Sequence, residues 1–150
     1  MAQPYCSLVY HVVLCTNQRR SLLHGEVALQ IHEYLGGAVR DAGGSAIVIN
    51  GTENHVHLLV QIRPDKAVSD FVRNLKTNSS AWIHRTFTNL AKFAWQAGYG
   101  AFTVSPSHVE KVKRYILNQE EQHNKMSFQE EYIQLLRVHG IEFDEKHLWD

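Results

Sequence analysis

Two histidines one residue apart, His55 and His57, are the first side chains of this sequence placed to do chemistry together. Across His55-Val56-His57-Leu58-Leu59-Val60-Gln61-Ile62, strand alternation puts Val56, Leu58, Val60 and Ile62 on one face and His55, His57, Leu59 and Gln61 on the other. The aliphatic set reads as the core face. The imidazoles then project together from the outer face, close enough to share one divalent ion. Ten histidines in 150 residues make roughly 0.6 such pairs expected by chance, so the spacing needs a second element beside it. That element is the helical pattern starting near Ser107. Val109, Val112 and Ile116 form its packing stripe, and Tyr115 and Gln119 lie four residues apart on a neighbouring one. A glutamine carbonyl can ligate a metal. A phenol, with an ordinary pKa of about 10, needs a nearby cation or base before it can attack phosphorus. The plain alternative is a pair of solvated histidines, a tyrosine packed on the sheet and a solvated glutamine.

The elements that must position these residues are legible as patterns. Leu8 to Cys15 is rich in β-branched and aromatic residues and runs into the polar stretch Thr16 to Ser21, which predicts a buried strand entering a basic loop. From His24 to Ala42, Val27, Ile31, Leu35 and Val39 recur every four residues until Gly43-Gly44 stops the pattern, which predicts a helix. Ser45 to Ile49 and His55 to Ile62 read as antiparallel strands joined through Asn50-Gly51, a hairpin signal. A second helix carries Val68, Phe71, Val72, Leu75, Trp82 and Ile83 on one face, and a short strand follows around Ala101 to Val104. The order predicts an α+β domain, a ferredoxin-like split βαβ antiparallel sheet with helices on one face. Two C-terminal helices follow, one carrying Tyr115. Each opens with a Ser-x-x-Glu box, Ser107 to Glu110 and Ser127 to Glu130, and the last should end near Gly140. No repeat or biased linker divides residues 1–150, so one domain is expected.

Composition narrows the functional classes. Fifteen Lys plus Arg balance fifteen Asp plus Glu, so there is no global basic field, and any nucleic-acid contact must be local. Candidates for phosphate contacts are Arg19 and Arg20 after the first strand, Arg73, Lys76 and Arg85 on the second helix, and Lys111, Lys113 and Arg114 beside Tyr115. Trp82, Trp95 and Phe102 read as core in preference to base-stacking platforms. Glu53 is a candidate to orient an imidazole, whereas His108 and His123 read as surface residues. Cys6 and Cys15 read as buried thiols on one strand, too far apart to bridge. No leader-like start and no long apolar run is evident, so a bacterial cytoplasmic location and no membrane span are expected. The absence of a phosphate-cradling Gly-rich loop and of a cluster of Asp and Glu argues against nucleotide hydrolysis and two-metal nuclease chemistry.

Asn54-His55-Val56-His57-Leu58-Leu59-Val60 and Tyr115-Ile116-Leu117-Asn118-Gln119 together resemble the histidine-hydrophobic-histidine motif and tyrosine helix of the single-tyrosine transposases of small bacterial insertion sequences. Leu8 to Val13, Arg19-Arg20, Trp95 to Phe102, Ser127 to Glu131 and Leu148-Trp149 are similar as well, so the resemblance covers nearly the whole chain. It implies that His55, His57 and Gln119 hold a Mg²⁺ or Mn²⁺ ion and that Tyr115 is the nucleophile. It also implies cleavage and rejoining of single-stranded DNA at element ends through a 5′-phosphotyrosine. Subterminal hairpins would be recognised by a homodimer in which one subunit's tyrosine helix serves the other's histidines. The competing readings are a domesticated, non-cleaving binder of hairpin nucleic acid and a replication initiator or relaxase of the wider class.

Overall fold

The computed structural model describes residues 2–150. Strands β1 (Val9–Cys15), β2 (Gly44–Thr52), β3 (His55–Ile62) and β4 (Gly100–Val104) pair antiparallel in the order β2-β3-β1-β4. Helix α1 (Gly25–Asp41) joins β1 to β2, and α2 (Val68–Thr86) joins β3 to β4, the expected split βαβ plan. Val12 and Leu14 of β1 and Val56, Leu58, Val60 and Ile62 of β3 pack against Ile31, Leu35, Val39, Phe71, Val72 and Leu75 of these helices. This is the main core. Trp95 belongs to it, donating its indole N–H to Ser79 Oγ at 2.9 Å, and Trp82 stacks on Tyr34 at its margin.

The opposite face is covered too. Helices α3 (Val109–Leu117), α4 (Gln119–Gln122) and α5 (Phe128–Val138) follow β4. Ile116 of α3 packs on Val9, Leu59 and Val104, while Phe128 and Leu136 of α5 pack on Val13, Cys15 and Phe102. The histidine face is therefore an interior, not an outer surface. Gly100 lets α5 come close, since a Cβ there would lie 2.9 Å from the Tyr132 ring. No helix among the described residues is long and apolar enough to cross a membrane.

Three local expectations are corrected. The β2–β3 pairing continues to Thr52↔His55, so the turn is Glu53-Asn54 and Asn50-Gly51 lies within β2. Gly51 is there for close approach, because a Cβ would strike the His55 carbonyl, and Asn50 donates its amide to the carbonyls of Ile116 (2.9 Å) and Leu117 (3.3 Å). A turn-forming pair has instead tied β2 to the end of the tyrosine helix. The Ser127 box forms, with Oγ accepting from Glu130 N at 3.2 Å. Ser107 forms none, because a 3₁₀ turn over Pro106–His108 comes first and its hydroxyl contacts His108 Nδ1. Cys6 is exposed ahead of β1; only Cys15 is buried, its thiol donating to Gln96 Oε1.

Gly51→Ala should therefore lower stability by about 2 kcal/mol or more, because the contact is backbone and cannot swing aside. Urea unfolding would measure it, and a variant as stable as the parent would contradict the close approach.

Candidate active site

His55 and His57 point from β3 into the interface with α3, α4 and α5, and both are fully buried. Helix α3 stops at Leu117 because Asn118 leaves helical geometry (φ −98°, ψ 25°). That break separates Tyr115 from Gln119, so they do not share one straight helix as the spacing suggests. It turns Gln119 fully into the interior, where its Oε1 lies 3.0 Å from His55 Nε2. The three residues read as a ligand set are thus brought together.

Three further residues complete the cluster. Glu131, buried in α5, accepts from His57 Nε2 at 3.0 Å on Oε1, and from Gln119 Nε2 at 3.1 Å and the Tyr115 hydroxyl on Oε2. His123, expected on the surface, is mostly buried, with Nε2 3.2 Å from Gln119 Oε1 and 3.3 Å from Glu131 Oε1. His11 of β1 is buried with Nε2 2.7 Å from His57 Nδ1. The sequence carried a signal for two of them. Glu131 interrupts the apolar stripe of Phe128, Leu135 and Leu136 on α5, and His11 interrupts an apolar strand. Glu53 plays no orienting part: its side chain is exposed, and Thr52 Oγ1 (3.0 Å) and Asn54 Oδ1 (2.9 Å) meet His55 Nδ1 instead. His108 is exposed and bonded to Ser105 and Ser107.

One atom each from His55, His57 and Glu131 lie within 4.8 Å of one another, and the Gln119 carbonyl oxygen faces the same point. Among the described residues no Lys or Arg pairs with Glu131. Two imidazoles and two oxygens, one of them anionic, converge without a cation of the protein's own. Such a set could bind a divalent ion. Burial alone would raise the Glu131 carboxyl, but hydrogen bonds from His55, His57 and the Tyr115 hydroxyl outweigh it and hold it well below the carboxylate range. Tyr115 moves the opposite way. Burial first, then the charge of Glu131 and the hydrogen bond to it, push its phenol above the ordinary value. Burial also lowers His57, against the pull of Glu131. It takes His11 down to about 3, with the neighbouring His57 adding to the shift.

The basic candidates divide. Lys111 lines a cavity of about 590 Å³ shared with His11, Tyr115, Glu131 and His139, while Arg114 is exposed on the same helix. Arg19 lies over the Trp149 ring at 4.7 Å, Arg20 bonds Gln18 Oε1, and Arg73 pairs with Asp70 at 2.8 Å on the surface. Lys76 is not free for a phosphate in this arrangement. Its ammonium donates to the carbonyls of Gln96 (2.6 Å), Ala97 (3.0 Å) and Gly98 (2.8 Å), so it fastens the segment before β4.

The fold is shared with two solved transposase structures. A REP-associated tyrosine transposase bound to a REP hairpin superposes with a TM-score of 0.60 at 16% identity, over 84% of this chain and 76% of that one. A crystal structure from Deinococcus radiodurans, described as a candidate transposase, gives 0.65 at 26% identity over 79% and 96%. The chain belongs to the IS200-like transposase family, whose pattern matches residues 5–119. It is 31% identical over 123 residues to the ISDra2 transposase TnpA of Deinococcus radiodurans, covering 79% of this chain and 86% of that protein. It is 29% identical over 119 residues to the IS200 transposase of Salmonella typhimurium, covering 75% and 77%. The family match ends at Gln119, so His123 and Glu131 lie outside it.

The shifts fix how stability responds to pH. His11 and His57 are neutral in the fold, whereas the unfolded chain protonates them near their ordinary 6.5, so stability falls as pH drops below that value. Glu131 is depressed in the fold, so its contribution is full above its ordinary 4.5 and is lost as pH falls below it. Urea unfolding of metal-free protein should show two successive losses between pH 7 and 3. Glu131→Gln should remove the lower one and cost about 2–4 kcal/mol at pH 7. An unchanged profile in that variant would contradict an ionised Glu131.

Proposed function

We propose that this chain is a metal-dependent transposase that cuts and rejoins single-stranded DNA through a covalent 5′-phosphotyrosine on Tyr115. The observation that carries the reading is the Glu131 carboxylate, with one oxygen on the histidine pair and the other accepting the Tyr115 hydroxyl. His55, His57, Gln119 and Glu131 would hold the divalent ion, of the Mg²⁺ or Mn²⁺ kind. When bound, it supplies Lewis-acid charge for the scissile phosphate and offsets the carboxylate beside the phenol.

The chain's own residues account for the rest. Tyr115 is half-buried at the wall of the 590 Å³ cavity, so its hydroxyl meets both the carboxylate and the space a DNA strand would enter. As the phenol oxygen bonds to phosphorus and the bond to the 3′ oxygen breaks, the phenol proton is relayed by way of Glu131 Oε2 to the departing oxygen, which leaves as a 3′-hydroxyl. One phosphodiester replaces another. A different 3′-hydroxyl can then reverse the step on a new strand without a nucleotide cofactor. Lys111 at the cavity and Arg114 nearby are the phosphate contacts this reading favours, with Arg19, Arg20 and Arg73 more distant aids to binding. The DNA partner would be a strand bearing a hairpin, the kind of ligand bound to the REP-associated relative. Two chains would act together, because exchange needs two cut ends at once. Within one chain Tyr115 already stands beside its own histidine cluster.

Incubation with labelled single-stranded DNA carrying the element's end, with Mn²⁺, should yield a covalent protein–DNA adduct. Chelator should abolish it, and Tyr115→Phe or His55→Ala should lower it at least about a hundredfold, with hairpin binding largely kept. Metal-independent binding without an adduct would make the chain a binder only.

A further inference from the structure

The proposed chemistry leaves His11 unused. His11 sits on β1 opposite Leu59 and Phe102, one diagonal step from His57, and its ring is almost without solvent contact. Nothing about a strand core calls for an imidazole there, since its neighbours on that face are Val9, Val13 and Cys15. Its Nε2 meets His57 Nδ1 at 2.7 Å, and its ring stands edge-on to Tyr115 and Phe102. The ring also lines the 590 Å³ cavity, next to Tyr115 and Glu131.

Two ring nitrogens at that separation share one proton. Both cannot be N–H, and both cannot be bare lone pairs without repulsion, so the tautomer of one ring dictates that of the other. The far nitrogen of His57, Nε2, faces Glu131 Oε1 at 3.0 Å. With a proton on Nε2 it donates to the carboxylate, its Nδ1 is an acceptor, and His11 Nε2 must be the donor. With a lone pair on Nε2, as a metal ligand requires, Nδ1 carries the proton and His11 Nε2 must accept it. A backbone carbonyl or carboxylate at this position could only accept, which would fix His57 in one state. A histidine serves both.

We propose that His11 is a positioning residue that switches the tautomer of His57 between a carboxylate-bonded form and a metal-ligating form. The inference rests on His57 being a metal ligand. On cation binding the His57 Nε2 proton leaves to water, the shared proton passes from His11 Nε2 to His57 Nδ1, and His11 Nδ1 takes a proton from cavity water. Each ring keeps one proton and no charge changes, so a buried site can load and release the ion without stranding a donor.

The test uses the full chain without DNA. Nitrogen NMR of the imidazoles should report His57 as the Nε2–H tautomer in metal-free protein and as Nδ1–H at saturating Mg²⁺, with His11 moving from Nε2–H to Nδ1–H. Calorimetric Mn²⁺ binding should weaken about 10- to 100-fold in His11→Phe, which fills the space without a partner atom. His11→Gln, whose amide can donate or accept near the Nε2 position, should recover binding to within about threefold of the parent. A His57 tautomer unchanged by Mg²⁺ in the parent protein would overturn the switch whatever the variants do, as would parental Mn²⁺ affinity in His11→Phe. If the parent binds no Mn²⁺, or His55→Ala binds it equally well, the metal reading itself fails, and this inference with it.

Discussion

A single buried carboxylate ties the C-terminal helices of this protein to its sheet. Glu131 has almost no solvent contact, and an isolated ion there would cost several kcal/mol. It stays ionised because donors reach it from three directions: His57 on the sheet, Gln119 where α3 breaks, and Tyr115 one turn earlier. Each donor comes from a different stretch of chain, so the anion can be satisfied only when β3, α3, α4 and α5 are all in place. The polar cluster thus selects one packing of the C-terminal helices, which the apolar contacts of Ile116, Phe128 and Leu136 alone would specify less sharply.

The sheet makes this possible by treating its two faces differently. Its even-numbered β1 and β3 residues, aliphatic apart from Tyr10, pack against α1 and α2. Its odd-numbered residues mix Val9, Val13 and Leu59 with His11, His55 and His57, an interior that is half polar. A bulge between Ala46 and Val48 brings Val48, Asn50 and Thr52 onto that second face. Thr52 then steadies His55, and Asn50 caps the end of the tyrosine helix.

How much of this could be read from the sequence follows from which signals are local. The split βαβ order, the pairing of His55 with His57 and the distinct character of Tyr115 and Gln119 all follow from short-range periodicity, and those residues do gather in the fold. Glu131 and His11 did not stand out, because their roles depend on register between distant strands and on where α5 lands. Even so, a charge within an apolar helical stripe and an imidazole within an apolar strand are visible anomalies. Asn50-Gly51 misleads for a related reason: the pair suits a tight turn, yet tertiary contacts from Ile116 and His55 give both residues other work. Lys76 shows the limit of reading charge from sequence, since three backbone carbonyls claim an ammonium that looks like a phosphate contact.

The same carboxylate also sets the protonation state of the Tyr115 phenol. In the ion-free fold the negative charge on Glu131 and the burial of the ring both oppose ionisation of Tyr115, which keeps it a phenol and a poor nucleophile. Positive charge arriving at the histidine side of the carboxylate weakens that opposition at its other oxygen, because one delocalised group faces both. Attack by Tyr115 would, on the proposed reading, be coupled to occupancy of the donor set through this residue. On the proposed reading, a carboxylate at this position does more than an asparagine or a water could. A neutral acceptor would hold the phenol in place equally well, but it would not add a charge that opposes ionisation of the phenol when the ion is absent.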